Sequence, residues 1–294
     1  PVVLAHGFPE LAYSWRHQVP ALAAAGNRVL APDQRGYGLS SRPAAIEDYD
    51  ITHLTDDLLA LLDDIGEERA VFVGHDWGSI VVWQLALMAP ERVAGVVGMS
   101  VPFLPRPPMP PVQIMRQVFA DAFMYIVYFQ EPGVADADLG RDPATTMRRM
   151  LAGLRSMDPS LMAKDDRGFV ERIPEPDGLP DWLSQDELDH YAAEFSRTGF
   201  TGGINWYRNF DRNWELTAHL EGAKVEVPSL FIGGVLDPVL VMSPPTVMDG
   251  WLVDHRGTVL VDDAGHWVQQ EKPEEVNRAL LTFLHSIESI KEAS

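Results

Sequence analysis

A rhythm constrains this chain more than any single motif: short apolar runs of strand length alternate with amphipathic stretches. The runs are 2–5, 28–31, 70–74 and 93–101, and between them lie 15–25, 52–65 and 78–89. Within 52–65, Leu54, Leu58, Leu61, Leu62 and Ile65 recur at helical spacing, and Gly66 follows as a C-cap candidate. An apolar run without polar alternation reads as a strand buried on both faces, and parallel neighbours need a crossover helix between them. The alternation therefore predicts an α/β fold, a mostly parallel sheet with helices on both faces.

The rhythm breaks at "VPFLPRPPMPP" (101–111), where proline extends neither a helix nor a central strand. From about 112 to 219 the pattern is helical and rich in aromatic residues, interrupted by the loop "PEPDGLPDW" (174–182). Strand runs return at 228–234 and 258–261. The stretch 273–290 then reads as a helix, with Pro273 in its first turn and Val276, Leu280, Phe283, Leu284 and Ile287 as its apolar stripe. We expect a core of residues 1–102 and 221–294, split by an all-helical lid at 103–220. The chain opens on "PVVLAHGF", already a strand and without Met, so residues are expected upstream.

Composition narrows the chemistry. Of the 294 residues, 46% are hydrophobic, enough for a sizeable core. Cysteine is absent, which excludes disulfides, Cys-ligated zinc and thiol catalysis and fits a reducing compartment. A net charge of −20 argues against nucleic acid or an anionic membrane as partner. No apolar run approaches the roughly 18–20 residues needed to insert stably across a bilayer. There is no H-E-x-x-H to suggest a metal site, and "RGYGLSS" (35–41) holds a lone G-x-G, too little for a nucleotide fold.

The informative stretch is "VGHDWGS" (73–79). Gly74 and Gly78 frame a strand-to-helix turn that reads G-x-S-x-G in α/β-hydrolases, with Asp76 where the serine would stand. An Asp that only N-caps the next helix is the competing reading. Asp237 in "FIGGVLDPV" and His266 in "VDDAGHWVQQ" fall just past two later strands, in the chain order nucleophile, acid, histidine. Strand C-terminal ends gather at one sheet edge, where open α/β sheets place ligands. Singly, Asp237 is also a turn-forming Asp-Pro and His266 a loop histidine. Asp262 and Asp263 compete for the histidine but share its loop, so Asp237 is better placed to orient it. After the first strand, "HGFPE" (6–10) can aim the Phe8 N–H at the elbow. With the Trp77 N–H it would make an oxyanion hole, although a plain β-to-α turn uses the same Gly and Pro.

An aspartate in this turn changes the reaction. Serine attacking an sp³ carbon would leave an ether, whereas aspartate leaves an ester that water cleaves at the carboxyl carbon. His266, oriented by Asp237, would activate that water, and the oxyanion would form on Asp76 itself. An epoxide oxygen leaving the carbon needs a donor, and a phenol donates at neutral pH. The helical insertion offers Tyr125 in "MYIVYFQEPG" and Tyr207 in "GGINWYRNFDRNW". A halide would call for indole N–H donors instead.

Blocks along nearly the whole chain then resemble one family: "HGFPE…SWRHQVPAL", "APDQRGYGLSS", "GHDWGS", "YFQEPGVADAD", "TGFTGGINWYRNFDRNWE" and "DAGHWVQQEKPEEV". The chain resembles the soluble α/β-hydrolase-fold epoxide hydrolases, in particular actinobacterial members of the mycobacterial A type. The resemblance implies Asp76 as nucleophile, His266 as base, Asp237 as its orienting acid, and Tyr125 and Tyr207 as lid donors to the epoxide oxygen. Tyr128 would pack, and Phe8, Trp77 and Trp267 would line the pocket, with plain core packing as the alternative for Trp267. It further implies hydrolysis of a small apolar epoxide to a vicinal diol, with no metal or cofactor, in the cytoplasm. Detoxification and lipid metabolism both fit, and a homodimer stays open. The family's N-terminal hairpin before HGFP is missing, the lid segment 153–169 is short, and 241–257 makes a poor helix. A haloalkane or haloacid dehalogenase is the nearest rival, but such enzymes tend to carry Asn at the position of Phe8 or Arg at that of Trp77. A non-catalytic binder on the same fold is the rival of another class, against which nucleophile, acid, base and both tyrosines are present.

Overall fold

Each apolar run becomes a strand in the computed structural model, which describes residues 1–154 and 159–292. The strands are β1 (Val2–Ala5), β2 (Val29–Leu30), β3 (Ala70–His75), β4 (Val93–Met99), β5 (Ser229–Gly234) and β6 (His255–Val261). They form one sheet in the order β2-β1-β3-β4-β5-β6, with every neighbouring pair parallel. Because β2 lies outside β1, the chain reverses direction across the sheet between β1 and β3. Such a switch point, at the strand C-terminal ends, is where open α/β sheets hold ligands.

Helices α1 (Gln18–Ala24), α2 (Ile51–Asp64) and α3 (Trp77–Met88) connect the first four strands. Between β4 and β5 come α4 (Pro111–Val118), α5 (Tyr125–Tyr128), α6 (Val134–Gly140), α7 (Pro143–Arg148), α8 (Phe169–Arg172), α9 (Gln185–Thr198), α10 (Thr201–Arg208) and α11 (Phe210–Leu216). Helix α12 (Pro238–Met242) follows β5, and α13 (Val268–Glu271) and α14 (Pro273–Glu292) follow β6. Two β4 glycines show which helix covers which face. A Cβ at Gly95 would press on Phe283 and Ile287 of α14, and one at Gly98 would overlap Trp83 of α3. An odd spacing along a strand means opposite faces, so α14 and α3 sandwich the sheet. On the α14 side Leu4, Val73, Val97 and Ile232 pack with Leu22 of α1 and with the whole stripe Val276, Leu280, Phe283, Leu284 and Ile287. Truncating Phe283 to Ala there would cost about 3–5 kcal/mol.

Departures from the sequence expectation have local causes. Of 28–31 only Val29–Leu30 pairs, because β2 is the half-exposed edge of the sheet. The run 93–101 stops at Met99, where Ser100 turns the chain at φ 63°. The stretch 15–25 becomes a 3₁₀ turn, Ala12–Trp15, followed by α1. At the end of α2, Gly66 takes φ 71° and Glu67 N–H bonds the Leu62 carbonyl at 2.9 Å, closing the helix as its spacing predicts. Residues 155–158, inside the short lid segment, lie outside the described residues. In 241–257 there is the end of α12, a 3₁₀ turn at Pro245–Met248 and the start of β6.

By packing, the chain divides into two units. One comprises Pro1–Gln34, Leu54–Pro105 and Leu220–Ser294 and carries the sheet; the other comprises Arg35–His53 and Arg106–His219. The helical unit thus takes in 35–53, which the boundaries drawn at 102 and 221 leave in the core. The cause is polar and steric. Trp206 Nε1 donates to the Arg35 carbonyl (3.1 Å), Asn209 Nδ2 to that of Ile46 (2.6 Å) and Arg212 Nε to Asp50 (2.9 Å). Gly36 and Gly202 approach so closely that a Cβ on either would clash, which gives the lone G-x-G a packing role. Within this unit α9 starts on a capping box between Ser184 and Glu187 and buries Leu188, Tyr191, Ala192 and Phe195 at helical spacing. No helix among the described residues is long and apolar enough to cross a membrane.

Candidate active site

Strand β3 ends at His75 and α3 begins at Trp77, so Asp76 alone makes the turn. It does so at φ 51°, ψ −118°, a left-handed conformation that costs a non-glycine residue about 1–3 kcal/mol and collects at functional turns. Small neighbours permit it. A Cβ at Gly74 would overlap the Gly78 carbonyl, one at Gly78 the Ala5 carbonyl, and one at Gly7 Asp76 itself. The Asp76 side chain makes no capping bond to α3, which removes the N-cap reading. Its Oδ1 instead accepts the Phe8 N–H at 2.8 Å, and its Oδ2 lies 3.7 Å from His266 Nε2. The Phe8–Pro9 peptide is cis, and Trp77 supplies the first N–H of α3.

Asp237 does both things its sequence suggests. As N-cap of α12, with Pro238 at the first helical position, its Oδ1 accepts the Val239 N–H at 2.9 Å. The same carboxylate holds His266 Nδ1, 3.1 Å from each oxygen. The cap fixes the carboxylate, and the carboxylate fixes the ring. Asp237 is wholly buried, and Asp76 and His266 are 9% and 8% exposed, so their charges act with little screening. Burial opposes the imidazolium, but the Asp237 charge and hydrogen bond, reinforced by Asp76, outweigh it and hold His266 well above the usual histidine range. Conversely, burial raises Asp237, while the His266 charge and the bonds from His266, Val239 and Ser100 bring it below the ordinary carboxylate value.

The loop carrying His266 is itself pinned. Gly265 and Trp267 N–H groups both donate to the Glu271 carboxylate at 2.9 Å. The His266 carbonyl accepts from His75 Nε2 (2.7 Å) and Ser100 Oγ (2.8 Å). On its other side His75 Nδ1 lies 2.6 Å from Glu10 Oε2, an ion pair with both side chains fully buried. Glu10 also accepts the Gly7 N–H (3.1 Å) and the amides of Gln269 and Gln270 (2.9 Å each). Burial raises its carboxyl, yet His75 outweighs burial and brings it down to about 2. His6 completes the turn as a neutral ring. Its Nε2 accepts the Gln34 N–H (3.0 Å), so Nδ1 carries the proton and donates to the Gly7 carbonyl (2.9 Å). Sequence reasoning assigned no role to Glu10, His75, Ser100 or Glu271. The first two stand inside "HGFPE" and "GHDWGS", and the signal was a polar ring on an otherwise apolar strand.

In the helical unit Tyr125 opens α5 and Tyr207 lies in the last turn of α10. Their rings meet edge to face, 5.8 Å between centroids. Phe129, fully buried, packs against both at 5.5 and 5.1 Å, and Phe169 stacks on Tyr125 at 5.6 Å. Tyr128 does more than pack: its hydroxyl donates weakly to Asp138 at 3.3 Å, and burial together with Asp138 pushes the phenol up to about 12. Phe8, Trp77 and Trp267 are all buried, Trp267 edge-on to the His266 ring at 4.7 Å. Among the described residues no three His, Asp or Glu side chains gather so as to hold a metal ion.

Comparison with known proteins adds four findings. A family model described as alpha/beta hydrolase fold matches residues 1–273. Epoxide hydrolase A of Mycobacterium tuberculosis is 61% identical over 292 residues, 98% of this chain and 91% of that protein. Epoxide hydrolase 3 of Siraitia grosvenorii is 41% identical over 97% of this chain and 91% of its own length. Among solved structures, the crystal structure of epoxide hydrolase A from Mycobacterium thermoresistibile matches with a TM-score of 0.94 at 60% identity, covering 97% of this chain and 90% of that one.

Proposed function

The chain belongs to the epoxide hydrolases of the α/β-hydrolase fold, and from that premise we infer how its own residues divide the work. An epoxide and water become a vicinal diol through an alkyl ester on an aspartate. We assign the nucleophile to Asp76, the base to His266 and its orientation to Asp237. Tyr125 and Tyr207 are the phenols that donate to the opening epoxide oxygen. Phe8, Trp77 and Trp267 are assigned to the walls around a small apolar substrate, and the helical unit to the lid. A cytoplasmic location belongs to the same proposal.

The observation that carries this reading is the division of the Asp76 carboxylate. Oδ1 already accepts the Phe8 N–H, while Oδ2 faces His266 Nε2. Oδ2, the oxygen away from the Phe8 N–H, is then the attacking oxygen and becomes the ester oxygen. Water adding to Cγ places the developing oxyanion on Oδ1, where the Phe8 N–H, joined by that of Trp77, stabilises it. Esterification also removes the Asp76 charge, one of the two that keep His266 protonated, so the base is released when the ester needs it.

The test is a single turnover of styrene oxide in ¹⁸O-water. The new diol oxygen derives from Oδ2 of the carboxylate, and the label replaces it in the enzyme. We expect unlabelled diol and ¹⁸O in the peptide bearing Asp76. Label in the diol with none in that peptide would refute the ester on Asp76. Absence of diol alongside chloroalkane turnover would favour the dehalogenase reading.

A further inference from the structure

Helix α5 comprises only Tyr125–Tyr128 and α10 only Thr201–Arg208. Helices this short are marginal in isolation, and each leaves its last carbonyls without intrahelical partners. What fixes Tyr125 relative to Tyr207 must therefore come from outside the two helices. Edge-to-face contact contributes, Tyr125 to Tyr207 directly and both to Phe129. Hydrogen bonds fix the backbone that carries the rings, and two side chains supply them between α5 and α10.

Gln130 lies just beyond α5. Its Nε2 donates both to the Ile126 carbonyl (2.8 Å), within α5, and to the Tyr207 carbonyl (3.0 Å), within α10. Arg208, the residue after Tyr207, reaches the other way. Its Nε donates to the Phe129 carbonyl (3.0 Å) and its Nη2 to that of Glu131 (3.2 Å), both just past α5. The Arg208 side chain is only 4% exposed, and its charge is met by Asp136, 2.5 Å from Nη2. Asn205 Oδ1, one turn back on α10, accepts from Nη1 at 2.9 Å. Asp136 in turn accepts the Gly133 N–H (2.9 Å) at the start of α6, which ties the brace to the next helix.

We propose that Gln130 and Arg208 are positioning residues for epoxide opening: crossed hydrogen bonds between α5 and α10 that set the spacing of the Tyr125 and Tyr207 phenols. Two donors sharing one oxygen must be held to a few tenths of an ångström, because hydrogen bonds weaken steeply with misalignment. A lysine at 208 would keep the charge against Asp136 but not the planar fork that spans the α5 carbonyls, Asn205 and Asp136 together. The inference rests on the assignment of the two tyrosines to the epoxide oxygen.

The test separates the chemical steps. Tyrosine donors act in ring opening, whereas ester hydrolysis depends on His266. We expect Gln130→Met and Arg208→Lys each to slow ester formation about tenfold or more in stopped flow with excess enzyme. Hydrolysis of the ester once formed should stay within about twofold of wild type, with near-native circular dichroism. Gln130→Met leaves no buried charge unpaired, so it remains informative if the Arg208 variant folds poorly. Equal slowing of both steps, or no slowing of ester formation in a folded Gln130→Met, overturns the brace. Tyr125→Phe/Tyr207→Phe serves as reference. If that variant forms ester at the wild-type rate, the tyrosine assignment fails; if it does not while Gln130→Met does, only the brace fails.

Discussion

Replacing Asp76 by Asn keeps the shape of the elbow and removes one charge, and the neighbour that feels it most is His266. Oδ2 and Nε2 are 3.7 Å apart, with both side chains close to nine-tenths buried. Unit charges at that separation attract by about 4 kcal/mol at an effective dielectric near 20. Asp237, at 3.1 Å, supplies a comparable attraction that survives the change. The imidazolium therefore loses one of the two charges that offset its burial, and the His266 titration should fall toward the ordinary histidine range. Imidazole resonances of ¹⁵N-histidine-labelled enzyme, followed through pH in wild type and Asp76→Asn, would show it. The amide also mimics the ester proposed on Asp76, which would likewise carry no charge there. The pH profile of ester hydrolysis in wild type should accordingly follow His266 in Asp76→Asn rather than in the free enzyme. Superimposable titrations in the two proteins would refute the coupling. So would an ester-hydrolysis profile that tracks the free enzyme's histidine.

His266→Gln should retain ester formation and lose its hydrolysis, dropping steady-state turnover by about 10²–10⁴-fold; intact-protein mass spectrometry would then find the substrate adduct, whose absence would count against the base assignment. Glu10→Gln keeps the volume and removes the buried charge. With the carboxyl brought from 4.5 to about 2 on folding, that charge contributes roughly 3 kcal/mol. The contribution is fully present above the unfolded value and is lost as pH falls through about 2, so urea unfolding at pH 7 should show the deficit and acid should narrow it. Equal stability of the two proteins at pH 7 would remove the proposed energetic role of the Glu10–His75 pair.

Local periodicity carried most of what sequence could yield. The α14 stripe, the Gly66 cap and the two elbow glycines depend on neighbours a few residues away, and each is where its spacing places it. The allegiance of 35–53 does not: it is decided by Trp206, Asn209 and Arg212, distant in the chain, and nothing within the segment announces them. Glu10 and His75 were hidden for another reason. A buried ion pair needs its partners in three dimensions before its desolvation is repaid. A charged residue in a loop motif and a histidine on a strand look ordinary until they stand 2.6 Å apart. Gln130 and Arg208 are similar, since a carbonyl acceptor leaves no mark in sequence at all.

The register of the sheet lets an aspartate in the elbow use its two oxygens separately. Pairing of Ala5 with Gly74 brings the end of β1 beside the end of β3, and Gly7 passes so close to Asp76 that only a glycine fits. That approach delivers the Phe8 N–H to Oδ1, while the His266 loop, pinned by His75, Ser100 and Glu271, presents Nε2 toward Oδ2. A serine offers one oxygen, which would have to serve as nucleophile and could not also occupy the hole. A carboxylate offers two, and the fold addresses them separately. In the proposed mechanism one is left to attack carbon, and the other already sits beside the Phe8 N–H, where negative charge would develop when water attacks. On that proposal the Phe8 donor is in place before the ester exists, and the second step would need no rearrangement of the backbone around Asp76.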